Sequence, residues 1–246
     1  MTGNVGIIWR RELAAYFLSP VAYVTMVVFL LAACGTFMVS VLRNVGAYEP
    51  LASLLFDAIF LWLPILLTVV SMRLFAEEKR SGTIETLMTA PVTEAEVILG
   101  KYAGAFSFVL LVVLPAVGSI FILERLNPGI DLQDVDVGSV LGGTLILLQV
   151  SALLLAVGLL VSLMTRNQVV SAICTLCVLW FVVMLGWLLS LIPGSSRHLT
   201  DYISVTLHIE DFSRGSVDLS QIVLYASATA FVLFAAVRVL ESRRWK

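Results

Sequence analysis

Five residues between positions 198 and 211 have the chemistry to bind a metal: His198, Asp201, His208, Glu210 and Asp211. Their spacing fits no tight ligand motif, and histidines in a polar outer segment read more simply as solvated side chains. Cys174 and Cys177 form a Cys-x-x-Cys pair, one helical turn apart inside an apolar run. There, packing is a simpler account than redox or metal chemistry. Gly100-Lys101 is followed by Tyr102 and lacks the earlier glycine that a phosphate-binding loop needs. Asp57 is the one charge in the second apolar stretch. A carboxylate at mid-bilayer costs roughly 2.5–3.5 kcal/mol. Asp57 falls near the outer end of its run, however, which favours an interfacial, water-reached side chain over a substrate contact. No Ser–His pair and no buried His, Glu or Lys is expected within the apolar runs, which argues against an intramembrane protease or lipid transferase. An ion-coupled carrier would need ionisable groups at the midplane, and only Asp57 offers itself. A membrane scaffold for an extracytoplasmic partner is the remaining alternative to a transporter.

These groups must be positioned by a chain of 246 residues, 60% hydrophobic and 13% charged. Average soluble domains carry about 25% charged residues. A soluble fold of this size could not hide so much apolar surface, so the composition indicates a multi-span membrane protein. The net charge of −2 leaves no basic footprint for nucleic acid. Continuous apolar runs predict an all-α polytopic protein with six spans, at about 21–42, 52–74, 102–123, 138–164, 168–192 and 219–238, in one transmembrane domain covering 1–246. If the ends lie inside, the inner side holds eleven Lys and Arg residues and the outer side four, Arg43, Arg125, Arg197 and Arg214. That bias predicts both termini in the cytoplasm. Leu31-Ala32-Ala33-Cys34 matches a lipoprotein cleavage box, but the apolar run continues eight residues past Cys34, so no cleavage is expected. Pro64 and Pro115 lie inside spans two and three and Pro193 closes span five, as hinges or as passive kinks. Gly142-Gly143 and Gly158 predict close helix packing in span four. Span five has no charge, which fits burial at the centre or at a dimer seam. Tyr202 to Leu207 alternates apolar and polar residues, as a short helix or strand at the outer surface.

Three segments facing the cytoplasm stand out. From Ile7 to Leu18, Trp9, Leu13, Tyr16 and Phe17 share a helical face with Arg11 opposite, the pattern of an N-terminal interfacial helix. Ser19-Pro20 then turns the chain into the bilayer. From Ala76 to Lys101 the loop reads as two short helices. Ile84, Leu87 and Met88 fall on one face of the first, which ends at Pro91, and Thr93 with Glu96 forms a capping box for the second. This second helix should run through Gly100-Lys101 into span three. An apolar stripe ringed by charge suits a docking element; a solvated turn resting on the membrane is the alternative. The tail from Arg238 to Lys246 has the basic residues and tryptophan of a headgroup anchor.

In these segments the chain resembles the permease subunits of type-2 ABC transporters. Glu77, Gly82, Thr83, Glu85, Leu87, Pro91, Leu99, Gly100 and Lys101 match the motif of that family. Arg11-Glu12-Leu13, Ser19-Pro20-Val21-Ala22-Tyr23, the stretch from Glu210 to Gly215 and the tail from Leu240 to Trp245 resemble the gliding-motility-associated branch, with a copper-enzyme maturation permease a close second. The resemblance implies a non-catalytic permease of the bacterial inner membrane, an exporter driven by a separate cytoplasmic ATPase dimer. ATP and Mg would be held by that dimer, with no cofactor in this chain. It also implies a second permease copy or a paralogue. The corner after span two would be a cytoplasmic coupling helix contacting the ATPase through Glu77, Glu78, Arg80, Gly82, Thr83, Ile84, Glu85, Leu87, Met88 and Pro91.

Overall fold

The computed structural model describes residues 2–44, 49–82, 92–126, 136–190 and 202–244. Among them the chain forms helices and no strand: α1 (Thr2–Phe17), α2 (Pro20–Arg43), α3 (Leu51–Ser71), α4 (Ala76–Ser81), α5 (Glu94–Leu126), α6 (Val137–Met164), α7 (Gln168–Ser190), α8 (Val205–Ser213) and α9 (Leu219–Arg244). Six of these, α2, α3, α5, α6, α7 and α9, are long and apolar enough to cross a membrane. The chain is an all-α, multi-pass membrane protein. The helix ends follow local chemistry. Pro20 opens α2, where its missing N–H costs nothing. Asp136 caps α6 by accepting from the N–H groups of Gly138 and Ser139 at 3.1 and 3.0 Å. The Thr93–Glu96 box forms as expected: Thr93 N donates to Glu96 Oε2 (2.9 Å) and Glu96 N to Thr93 Oγ1 (3.3 Å). It starts α5 well before the apolar run begins.

The centre of the bundle is α3. It packs against α2, α5, α6, α7 and α8, and 72% of its membrane-length stretch is buried, against 28% for α7 and 11% for α9. Only Asp57, Leu61 and Ile65, spaced by single turns, leave an exposed line along it. Of the two places expected for span five, the centre of the chain is taken by α3 instead, and the dimer seam is the one compatible with this arrangement. Absence of charge makes α7 compatible with lipid as well as with burial, and it sits at the periphery. Cys174 and Cys177 do not pack inside the chain; both are exposed on α7. Asp57 is on the bundle surface, as its place near the helix end suggests.

Lipid tails are as apolar as leucine, so helices in a bilayer associate through close packing rather than through the hydrophobic effect. The glycines of α6 serve this. A Cβ on Gly143 would lie 2.1 Å from the fully buried ring of Phe56, and one on Gly158 would lie 2.6 Å from Ser71 Oγ. Beside Gly143, near the start of α6, a Cβ on Gly142 would meet the Phe212 carbonyl at 2.8 Å, which is where α8 rests on the bundle. The stretch before Leu207 thus leads into a helix that lies on α6, α3 and α7. His208, expected in a wet loop, is instead 3% exposed, with Nδ1 2.8 Å from the Tyr225 hydroxyl of α9. Helical periodicity explains the difference, because Val205, Ile209 and Phe212 turn inward and carry His208 with them.

Gly143→Ala should destabilise the protein by about 1–3 kcal/mol, the usual cost of overpacking. Thermal unfolding of the detergent-solubilised chain should show a lowered Tm, and adding Phe56→Leu should recover part of the loss. An unchanged Tm for the single variant would mean that the α3–α6 contact is looser than described.

Candidate functional site

A cluster of polar residues lies at one end of the bundle, where α1, α4, the start of α5 and the end of α6 meet. Gly100 and Gly104 on α5 form a G-x-x-x-G pair that lets α1 lie against it. A Cβ on either glycine would come within 2.7 Å of a side chain of α1, Ile8 or Glu12. The two helices run parallel and stay in step. Asn4 reaches Glu96 (3.5 Å), Ile8 covers Gly100, Glu12 covers Gly104, and the Tyr16 ring stacks on Phe108 at 4.9 Å. Each step advances four residues on both helices, which keeps one face of each in contact.

This register decides which side of α1 is buried. Ile8 and Tyr16 face α5, while Trp9 and Phe17 remain over a third exposed. The helix also begins at Thr2, earlier than its apolar face suggests. Glu12 points inward to Lys101, which is 1% exposed and is the buried lysine that the apolar pattern did not foretell. Lys101 Nζ donates to Glu12 Oε1 at 3.0 Å and to Glu78 Oε1 on α4 at 2.8 Å, with the Phe75 ring 5.2 Å away. Arg11 closes the cluster from its exposed rim, 3.1 Å from Glu12 and 3.6 Å from Glu78. Two cations and two carboxylates leave no net charge, the condition under which burying them is tolerable.

Further bonds hold α4 from its other sides. Arg73 donates to Glu77 (2.9 Å) and to Ser19 Oγ (2.7 Å), and Tyr16 donates to the Val70 carbonyl (3.0 Å). Burial, reinforced by Glu12, pushes the Tyr16 hydroxyl well above its ordinary range, so it remains a donor. Ser162 Oγ accepts from the N–H groups of Phe75 and Ala76, both at 3.2 Å. Lys79 Nζ donates to the carbonyls of Leu163 and Thr165. Gly82 ends α4 with a left-handed φ of 74°, a conformation that favours glycine and directs the chain away from the helix axis.

Of the expected partner-contacting residues, Glu77, Glu78, Arg80 and Gly82 therefore belong to α4 or its end. Glu77 and Glu78 make ion pairs within the chain. Thr83, Ile84, Glu85, Leu87, Met88 and Pro91 lie outside the described residues. Sequence reasoning missed Glu12, Gly104, Ser162 and the burial of Lys101. The G-x-x-x-G spacing at 100–104 was a usable sign for one of these. The others depend on contacts some 80–90 residues apart. What the described residues of the corner do is hold a short helix rigidly at its junction with α1, α5 and α6. Among the described residues no group of three or more His, Cys, Asp or Glu could bind a metal ion.

Residues 9–183 match the family described as ABC-2 family transporter protein. That stretch runs from the middle of α1 through the corner and all of α5 and α6. No curated protein matches the chain.

Removing one partner from a buried ion pair leaves an uncompensated charge, at about 3–5 kcal/mol. Lys101→Met should therefore lower thermal stability in detergent sharply, while Lys101→Met combined with Glu12→Gln and Glu78→Gln should recover much of it. A triple variant no more stable than the single one would show that the charges are not what holds the corner.

Proposed function

Because the chain belongs to the ABC-2 transporter family, we propose that it is the membrane-spanning permease of an ABC exporter and that a separate cytoplasmic ATPase dimer docks on the corner from Glu77 to Pro91. The observation that carries this reading is the family match, which runs continuously through that corner. The geometry supports it: a helix clamped by α1, α5 and α6 gives a docking element a firm base. ATP and Mg belong to the ATPase, and this chain supplies neither phosphate loop nor cofactor site. Closure of the ATPases around nucleotide would push the corner and bias the bundle between two states. A second permease, identical or paralogous, completes the membrane part. Placement in the gliding-motility-associated branch rests on the short motifs around Arg11, Ser19 and Glu210 and on the tail. The bacterial inner membrane, with both termini in the cytoplasm, follows from the distribution of Lys and Arg.

Glu85→Lys should leave expression intact but detach or uncouple the ATPase, and Leu87→Ala should weaken docking by about 1–3 kcal/mol. Co-purification and ATP hydrolysis in the reconstituted complex measure both. Glu124→Lys, near the outer end of α5, should leave ATPase association unchanged. Full binding and coupled hydrolysis in both corner variants would reduce the corner to a solvated turn.

The orientation has its own test. In a chain cleared of Cys34, Cys174 and Cys177, an impermeant thiol reagent should label Ser216→Cys from outside intact cells, and Asn167→Cys only after lysis; both positions are exposed. Labelling of Asn167→Cys in intact cells would invert the topology.

A further inference from the structure

The corner is joined to α6 by an exchange of caps. The first N–H groups of a helix and its last carbonyls have no partner within the helix. At the start of α4 those N–H groups, on Phe75 and Ala76, are taken by Ser162 Oγ of α6, which is fully buried. At the end of α6 the carbonyls of Leu163 and Thr165 are taken by Lys79 Nζ of α4. A cation there also opposes the negative end of the helix dipole. Each helix thus completes the other's terminus, although more than 80 residues separate them. The link has a stiff continuation, because α6 is packed on α3 through Gly143 and Gly158, and α3 is the centre of the bundle.

We propose that Ser162 and Lys79 are positioning residues that latch α4 to the end of α6, so that displacement of the corner is delivered to α6 directly and not only along the chain into α3 and α5. The inference rests on the permease reading given above. Its chemistry favours transmission over simple anchorage. The four bonds involve the polar termini of two separate helices, and neither can shift without exposing unpaired N–H or C=O groups of the other. Such groups are costly in a buried setting. The sequence carried no sign of it, since Ser162 reads as one more small residue in an apolar run.

The test uses the full chain reconstituted in lipid with the ATPase that co-purifies with it. In a background cleared of Cys34, Cys174 and Cys177, spin labels are placed at Val24 on α2 and at Arg166 just beyond α6, both exposed. α2 does not pack closely on α6, so the distance between the labels reports the movement of the α6 end. A non-hydrolysable ATP analogue should change that distance in the otherwise unaltered protein. Ser162→Ala and Lys79→Met should keep the ATPase bound but reduce the nucleotide-dependent change about fivefold or more. Lys79→Arg, which retains a donor and the charge, should restore it. That rescue separates positioning from mere loss of bulk, and the Lys79 pair decides the matter if Ser162→Ala does not assemble. A full distance change in Lys79→Met with the ATPase bound overturns the latch and leaves the permease reading standing. Failure of the unaltered chain to bind any ATPase overturns the permease reading, and the latch with it.

Discussion

A lysine that cannot reach water governs one end of this protein. Lys101 is 1% exposed, and its ammonium must be met by carboxylate where it lies. Glu12 comes from α1 and Glu78 from α4, so neutralising a single charge fixes three helices with respect to one another. The glycines at 100 and 104 are part of the same constraint, because only a close approach of α1 brings Glu12 within reach. Arg11, at the rim, then balances the second carboxylate. Remove the lysine and Glu12 and Glu78 lose the charge that draws α1 onto α5 and turns α4 inward.

The rest of the bundle obeys a different rule. Between its ends, α3 and α6 meet through side chains and glycines with almost no ionic contact. The molecule thus has a charged, directional end and an apolar, shape-fitted middle. Bonds at the charged end specify which segment meets which, and packing in the middle carries displacement without much compliance. That division suits a protein whose family moves material across a membrane on energy released elsewhere.

Much of this fold could be read from the residues. Long apolar runs closed by Arg43, Arg125 or Arg166 give six helices, since a spanning segment has few ways to satisfy its backbone. The Thr93–Glu96 box and the glycines of α6 were also plain, because each depends on local spacing. What could not be read was which helix lies in the middle. α3 and α7 are almost equally apolar, and only contacts between distant segments bury one and leave the other at the edge. The same holds for His208, whose burial follows from the docking of α8 rather than from its neighbours in sequence. At the corner, the family motif drew attention to Gly100 and Lys101 without giving the reason. The reason is that the first admits α1 and the second binds it. The apolar stripe expected at Ile84, Leu87 and Met88 rests on the sequence pattern alone and lies outside the described residues.

The parallel seating of α1 on α5 bears on how the chain is made. α1 precedes by some 90 residues the helix that completes its face, and two membrane spans separate them. Until α5 arrives, Glu12 has no Lys101, and the side of α1 destined for burial faces water and headgroups. α1 is therefore made well before it can be seated. Its seating waits on the arrival of the third span, which brings Gly100, Lys101 and Gly104 to it.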